Sequence, residues 1–584
     1  MSDIASDTRR GSRFRIGLFS PPLILAFFCA ALFSLLMLPL TVPIGAFYWD
    51  TFIYFDAANR LGNGQVPSVD FFAPAGPLGY WLFAFLIGIF PLAQPVLLAQ
   101  WMILAVAAPL FALVLLDADR RSRTIALALV LPFILFVALP INATQYSSYP
   151  SIDGFGYYNR QCIHLLYVLT AALLFATNRM VVVTVLTGTM TALFLTKITG
   201  FAAGGLLCAF AVLAGRVAIR EGFLILSGFA AILLALQLAD GVTLAYVNDL
   251  LTLAAMNEGV LLQRFLQAGS LHFGIVASAG LLCAVLLFAE RRDLADAAGS
   301  LTPRALLPGL ARLFDRGSMW LGVGLVAGLF FETQNTGSQP FVFIWPIVLA
   351  ILVNVGHLKG KLLVACLALA AATTLPSLVS TLQKAARALV GQMNYVAIDL
   401  PNLKTLDQVS QRAEIVDRSA TVLNLYKRHP ATFQAFADDR ILPDFTFYTA
   451  PDMHLTWLRA IDDGVEAIRA YEAANDVRFE TIFSLNFTNP FPYLMDRDAP
   501  KGVPIGADPS RTVPQPNAFV LSEIARTDLV LYPKCPITIS NVELYGVYEA
   551  VLDTRTRISL SPCWDGLLRQ GFGADGSAGG GTRP

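Results

Sequence analysis

The sequence predicts a polytopic α-helical membrane protein of about eleven transmembrane helices, followed by an α/β domain outside the bilayer. Composition is the first observation behind this. Of 584 residues, 56% are hydrophobic and only 14% charged, with a mean hydropathy of +0.61. That is more apolar surface than a soluble fold of this length can hide. Spacing is the second: apolar runs of roughly 17 to 25 residues, the length that crosses a bilayer core, recur until the last 200 residues turn charged and mixed in pattern.

Taken in order, the spans fall near 17–41, 95–116, 124–141, 161–177, 180–196, 199–215, 222–240, 271–290, 318–333, 340–356 and 361–381. The first follows Arg9, Arg10, Arg13 and Arg15 and is too long for the core of a cleaved signal peptide, so it reads as a retained signal anchor. One further stretch, Pro77 to Pro91, is only about 15 residues long and suits a helix lying at the interface. With that stretch left out, basic residues sort by side. Seventeen fall in the loops on the N-terminal side, against four (Arg60, Arg160, Lys197 and Arg264) in the short loops opposite. The positive-inside rule then places the N-terminus in the cytoplasm of a bacterial cell, the chain in its inner membrane, and everything after the last span in the periplasm.

Domain limits follow: a membrane domain over 1–381, including an outer loop over 43–94; a periplasmic α/β domain over 382–570; and a Gly-rich tail over 571–584 without apolar period, expected to be disordered. The periplasmic domain reads as helical around Leu455 to Ala474 and strand-like over Thr481 to Phe487 and Asp528 to Tyr532. Five of the seven cysteines (Cys29, Cys162, Cys208, Cys283, Cys366) lie in apolar runs as small hydrophobes. Cys535 and Cys563 stand apart, where an oxidising compartment would allow a disulfide. No metal-ligand spacing appears, so no cofactor is expected. Lys plus Arg and Asp plus Glu each number 41, and no feature points to nucleic acid; the bilayer is the one partner that composition names. Asn142-Ala143-Thr144 and Asn486-Phe487-Thr488 fit the N-glycosylation pattern, a three-residue match common by chance.

The outer segment from Tyr48 to Phe90 is far longer than a connector needs, and long structured loops tend to be functional. A helix over Thr51 to Leu61 would carry Asp50 at its N-cap, with Tyr54 and Ala57 on the face below it, and would end at Gly62 and Gly64. Asp50 followed by Tyr54, Asp56-Ala57-Ala58, Gly64 and Gly76-Pro77-Leu78-Gly79-Tyr80-Trp81 resembles the first periplasmic loop of GT-C glycosyltransferases, such as lipid A aminoarabinose transferases and protein O-mannosyltransferases. The resemblance covers the loop closely and the rest of the chain in layout. Thr51 stands where the family often has a second acid, which speaks against a two-carboxylate or metal-binding site.

The resemblance implies a membrane enzyme of cell-envelope biogenesis. It would transfer a sugar from a polyprenyl-phosphate-linked donor to a periplasmic acceptor (lipid, polysaccharide or protein) with inversion, Asp50 serving as general base. On the residues alone, Asp50 is either that base or a helix cap. Asp56 is a site residue or the i,i+4 partner of Arg60. Asp70 is an acceptor contact or a turn former. Arg160 and His164, one turn apart at the outer start of a span, are a phosphate ligand and a site histidine, or a snorkelling arginine and a structural histidine. Lys197, at a hairpin where family members place a lysine near the lipid carrier, and Arg264 either meet the lipid phosphate or snorkel. The run from Glu332 to Gln339, with Gln334 and Asn335, holds sugar hydroxyls or closes a solvated turn. Two rival readings stand beside the enzyme. A transporter would show paired halves and ionisable groups at midplane, whereas no repeat is visible and the polar groups gather at the outer ends. A non-enzymatic polysaccharide assembly or export component would leave binding to the C-terminal domain.

Overall fold

The computed structural model describes residues 20–572 except 148, 258, 260, 300–305, 335, 336 and 442–449. Asn335, most of the C-terminal tail and the four N-terminal arginines therefore lie outside the described residues.

Each of the eleven predicted segments is helical. Four of the helices that are long and apolar enough to cross a bilayer alone are α8 (Arg179–Thr196), α10 (Ile219–Asp240), α13 (Phe273–Gly299) and α17 (Gly360–Gln392). The fifth, Pro95–Asp119, is made of α4 (Pro95–Trp101) and α5 (Leu104–Asp119). Another is a pair bent by 76°, α14 (Leu306–Phe314) with α15 (Gly317–Glu332). Shorter apolar helices fill the remaining positions: α1 (Pro21–Leu35), α6 (Arg123–Ala138), α9 (Ile198–Leu213) and Val342–Asn354, whose α-helical part is α16 (Trp345–Asn354). The segment at 161–177 becomes α7 (Tyr157–Phe175), which starts earlier than predicted because two polar turns precede its apolar stretch. The interfacial stretch forms α3 (Pro77–Ile89), only 13 residues long.

Burial sorts these helices by what surrounds them. Every residue of α7 except Tyr158 is buried, so α7 is the central pillar, packed against α5, α8, α9 and α16. In α10 only Ile225 is buried, while Phe223, Leu226, Leu234 and Leu238 are exposed. Apolar side chains pointing outward all round a 22-residue helix are what lipid as solvent permits and water does not. Arg160 and His164 are tolerated in α7 because protein, not lipid, encloses them.

The chain after α17 folds into a domain with a four-stranded mixed sheet in the order β4-β5-β7-β6 (Ile482–Ser484, Leu529–Pro533, Trp564–Leu568, Thr556–Ser561). Strand β5 is buried along its whole length and pairs in parallel with β4, Ile482 opposite Leu529. Helices Pro451–Asn475, Ala518–Arg526 and Ile539–Leu552 accompany it. Cys535 and Cys563 form a disulfide that joins the end of β5 to the turn between β6 and β7. Three short strands tie this domain to the membrane part. β1 (Val42–Pro43), just after α1, runs parallel to β3 (Val409–Gln411), which pairs on its other edge with β2 (Val396–Ala397).

Candidate active site

Helix α2 (Asp50–Gly62) carries the loop motif. Its start differs from the expectation: Trp49 occupies the N-cap with helical φ −61° and ψ −21°, no side chain caps the end, and Asp50 is already the first helical residue. A residue caps through its side chain only when its own backbone is still outside the helix, and Asp50 has entered it. Its carboxylate instead accepts hydrogen bonds from the Trp49 side chain and the Gly156 backbone N–H, with the Arg160 charge nearby. Gly156 offers that N–H from a left-handed turn, φ 74°, at the start of α7, a conformation glycine takes without strain. Asp50 keeps part of its surface open while its neighbours Trp49 and Thr51 are buried. Burial nonetheless pushes its carboxyl up to about 7, against the Trp49, Arg160 and Gly156 contacts that favour the charged form.

Thr51, at the place of the family's second acid, is buried with its hydroxyl 2.9 Å from the Tyr157 hydroxyl. That neutral pair leaves Asp50 without a carboxylate neighbour on this helix turn. Among the described residues no group of three His, Cys, Asp or Glu could hold a metal ion.

The family-like turn and α3 are placed by close approach. Gly76 donates its N–H to the Thr196 carbonyl at 2.9 Å, and a Cβ there would sit 2.2 Å from the Leu195 carbonyl oxygen, so only glycine fits. This fastens the start of α3 beside Lys197. Tyr54 is buried against Tyr80, Phe83 and Tyr157, forming the aromatic floor under Asp50.

Lys197, between α8 and α9, donates to the Asn159 side chain and the Gln334 carbonyl, both at 2.8 Å, and its ammonium lies 4.8 Å from the Tyr158 ring centre. Arg264, on α12 (Leu261–Leu271), donates to the Gln334 side chain at 2.7 Å. Gln334 thus joins the two cations. A third arrives from the C-terminal domain: Arg511 is close enough for its charge to be felt by Lys197, Arg264 and Tyr158. Tyr158, the one residue of α7 that is not buried, stands within electrostatic range of both Asp50 and Arg511. A partly open carboxylate and two cations, Lys197 and Arg511, therefore lie within electrostatic range of the same tyrosine, and Gln334 links Lys197 to Arg264.

Other candidates sit elsewhere. Asp56 is buried in an ion pair with Arg60 at 2.9 Å, and Arg60 also donates to the Pro500 carbonyl, so this pair cements α2 to the C-terminal domain. Asp70 accepts the Val66 N–H at 2.8 Å and pairs with Lys501 at 3.0 Å, closing a turn and docking the same domain. Arg160 is fully buried among neutral acceptors, the Gln100 and Asn142 side chains and the Phe155 carbonyl, at 2.6 to 2.7 Å. It has no open surface, and Asp50 feels its charge. His164 is buried with Nε2 3.2 Å from Gln339. Glu332 is buried, accepting from Ser338 at 3.0 Å with His272 at 3.6 Å.

Two residues of the candidate site were not legible beforehand. Tyr158 lay just outside the predicted span without a charge to mark it. Arg511 lies over 240 residues beyond Arg264 in an ordinary polar stretch, and no local signal could have paired them.

Structural neighbours of the chain include ArnT. Two crystal structures of ArnT from Cupriavidus metallidurans, one bound to undecaprenyl phosphate and one in the apo state, share 12% and 11% identity with this chain at TM-scores of 0.40 and 0.39. Each likeness covers 94% of this chain and 98% of ArnT. No family model and no curated protein matches the sequence.

Proposed function

We propose that the chain is an integral membrane glycosyltransferase that moves a sugar from a polyprenyl-phosphate donor to an acceptor on the periplasmic side. The observation that carries this reading is Tyr158 within electrostatic range of both Asp50 and Arg511, with Lys197 4.8 Å from its ring and Arg264 joined to Lys197 through Gln334. In the reaction Asp50 takes the acceptor hydroxyl proton as that oxygen attacks the anomeric carbon. The bond from the anomeric carbon to the phosphate oxygen breaks, and its electron pair leaves with the polyprenyl phosphate. Attack from the face opposite the phosphate inverts the anomeric centre. The leaving group passes from one negative charge to two, so cations are most needed at that end, while a base titrating near neutrality suits the other. A carboxylate and a cluster of cations close to one another are what such a displacement requires.

The inner-membrane location, the cytoplasmic N-terminus and the periplasmic C-terminal domain belong to the same proposal and rest on the distribution of Arg and Lys. The test uses purified protein in liposomes with a polyprenyl-phosphate donor labelled in the sugar. Release of free carrier with acceptor-dependent loss of label from the donor supports the enzyme. Movement of intact donor across the bilayer without cleavage supports a transporter and overturns the proposal.

A further inference from the structure

The C-terminal domain also meets the candidate site at the turn that leads into α2. Phe47 holds a left-handed backbone there, φ 54°, which a residue with a Cβ adopts only at a cost. Its ring is fixed against Phe155 and Tyr146 of the membrane domain, at 4.6 and 5.8 Å between centres. Its N–H donates to Nε2 of His454 at 2.9 Å, and its carbonyl accepts the Asp50 N–H at 3.1 Å. The two peptide groups of Phe47 therefore tie a histidine of the C-terminal domain to the backbone of Asp50. Because that histidine nitrogen accepts, it carries no proton.

His454 lies in the first turn of the helix Pro451–Asn475, with Trp457 at i+3 on the same face. Both are buried. The His454 ring centre is 5.1 Å from that of Trp49, the Trp457 ring 6.1 Å, and the Phe487 ring, just after β4, 5.9 Å. These three rings form a socket for the buried Trp49 side chain, and all come from the C-terminal domain. An indole has a single N–H donor, and the Trp49 side chain gives its hydrogen bond to the Asp50 carboxylate. A donor aimed at a carboxylate favours the charged form. A backbone route through Phe47 and a side-chain route through Trp49 thus run from His454 to the same carboxylate.

We infer that His454 is a positioning residue for Asp50, holding the Phe47 turn and one wall of the socket from which the Trp49 indole meets the Asp50 carboxylate. Its importance for sugar transfer rests on the Asp50 base of the functional proposal, but the positioning itself is read without substrate. The other groups whose charge reaches Asp50 are Arg160, Tyr54, Tyr80, Tyr157 and Tyr158, all from the membrane domain and unchanged in the variants below. Beside His454 on its own helix, Asp452 is paired with Arg418 at 2.9 Å.

The test uses the full chain as wild type, His454→Phe, His454→Met, His454→Gln, Trp49→Phe and Asp50→Asn. The carboxylic-acid C=O band that Asp50→Asn removes is titrated by infrared difference spectroscopy, with a thermal melt beside it. Wild type should titrate near 7. Phe keeps a ring and Met keeps bulk, but neither can accept the Phe47 N–H as the imidazole does, so each should move the midpoint up by about one unit as the indole contact is lost. His454→Gln offers a carbonyl oxygen to the same N–H and should restore the midpoint. Adding His454→Phe to Trp49→Phe should shift it no further than Trp49→Phe alone. Midpoints unmoved in both His454→Phe and His454→Met overturn the inference, whatever their melting temperatures. Shifts that add fully in the double variant overturn it too, since they place His454 on a route that does not pass through Trp49. In the transfer assay the pH at which the rate rises should follow the infrared midpoint from variant to variant. A midpoint that moves while the rate profile stays fixed upholds the positioning and counts against Asp50 as the base, so the two failures are distinguishable.

Discussion

Asp50 decides most at the scale of single residues. Its carboxyl titrates near 7 rather than near 4 because burial disfavours the charged form more than its partners favour it. A base that must be ionised gives sugar transfer that climbs with pH through about 7, and a pH–rate profile of the purified protein checks this. Stability carries the opposite sign. The folded protein holds this proton more tightly than the unfolded chain, so the contribution is full below the ordinary carboxylate pKa and is lost as pH rises through about 7. Asp50→Asn, neutral throughout, should therefore melt above wild type at pH 8 and level with it at pH 4. Arg511→Gln should raise the donor KM about tenfold, the loss of roughly 1.4 kcal/mol expected for one charge-assisted contact, with the melting temperature unchanged. Steady-state kinetics beside a thermal melt reads both. The acidic position and the two membrane-domain cations were legible as types of residue at an outer loop. That Asp50 does not cap its helix was not, because capping depends on the backbone angles of Trp49, which no pattern of residue types reveals.

At the scale of elements, α2 and α3 were readable from Gly62, Gly64 and the Gly76-Pro77 turn, since each glycine or proline punctuates the chain for a local reason. The reason Gly76 must be glycine is tertiary: its backbone rests on the end of α8. Gly76→Ala should force that contact apart and cost about 1–3 kcal/mol, measured as a lowered midpoint in thermal unfolding. Because the same contact seats α3 beside Lys197, the variant should also lose donor affinity. In the C-terminal domain the disulfide closes a 28-residue separation. Reducing it should destabilise that domain by on the order of 3 kcal/mol through the freedom returned to the unfolded chain. A melt with and without reductant checks this. The strands at β4 and β5 and the helix Pro451–Asn475 were visible as local patterns. The pairing of β1 with β3, nearly 370 residues apart, was not, since two-residue strands carry no period.

The whole molecule is a central helix, α7, ringed by membrane helices and capped by a domain that reaches back to touch the loop at Phe47, Tyr48, Asn59 and Arg60. Hydropathy could locate the ring but not the centre, because a buried helix and a lipid-facing one are both apolar. Only α7's polar first turns hinted that protein surrounds it. The cap explains why Arg511 can complete a cation cluster begun by Lys197 and Arg264. A reporter active only in the periplasm should be bright when fused after residue 572 and dark after residue 120; a dark C-terminal fusion in a stable product would reverse the orientation. The most direct test of the central claim is carrier release from a labelled polyprenyl-phosphate sugar by wild type and Asp50→Asn side by side. The account predicts a loss of about 10² to 10⁴ in rate with the fold intact. An Asp50→Asn protein that transfers sugar at near wild-type rate would contradict it and send the search for the base to Glu332, Asp56 or Asp70.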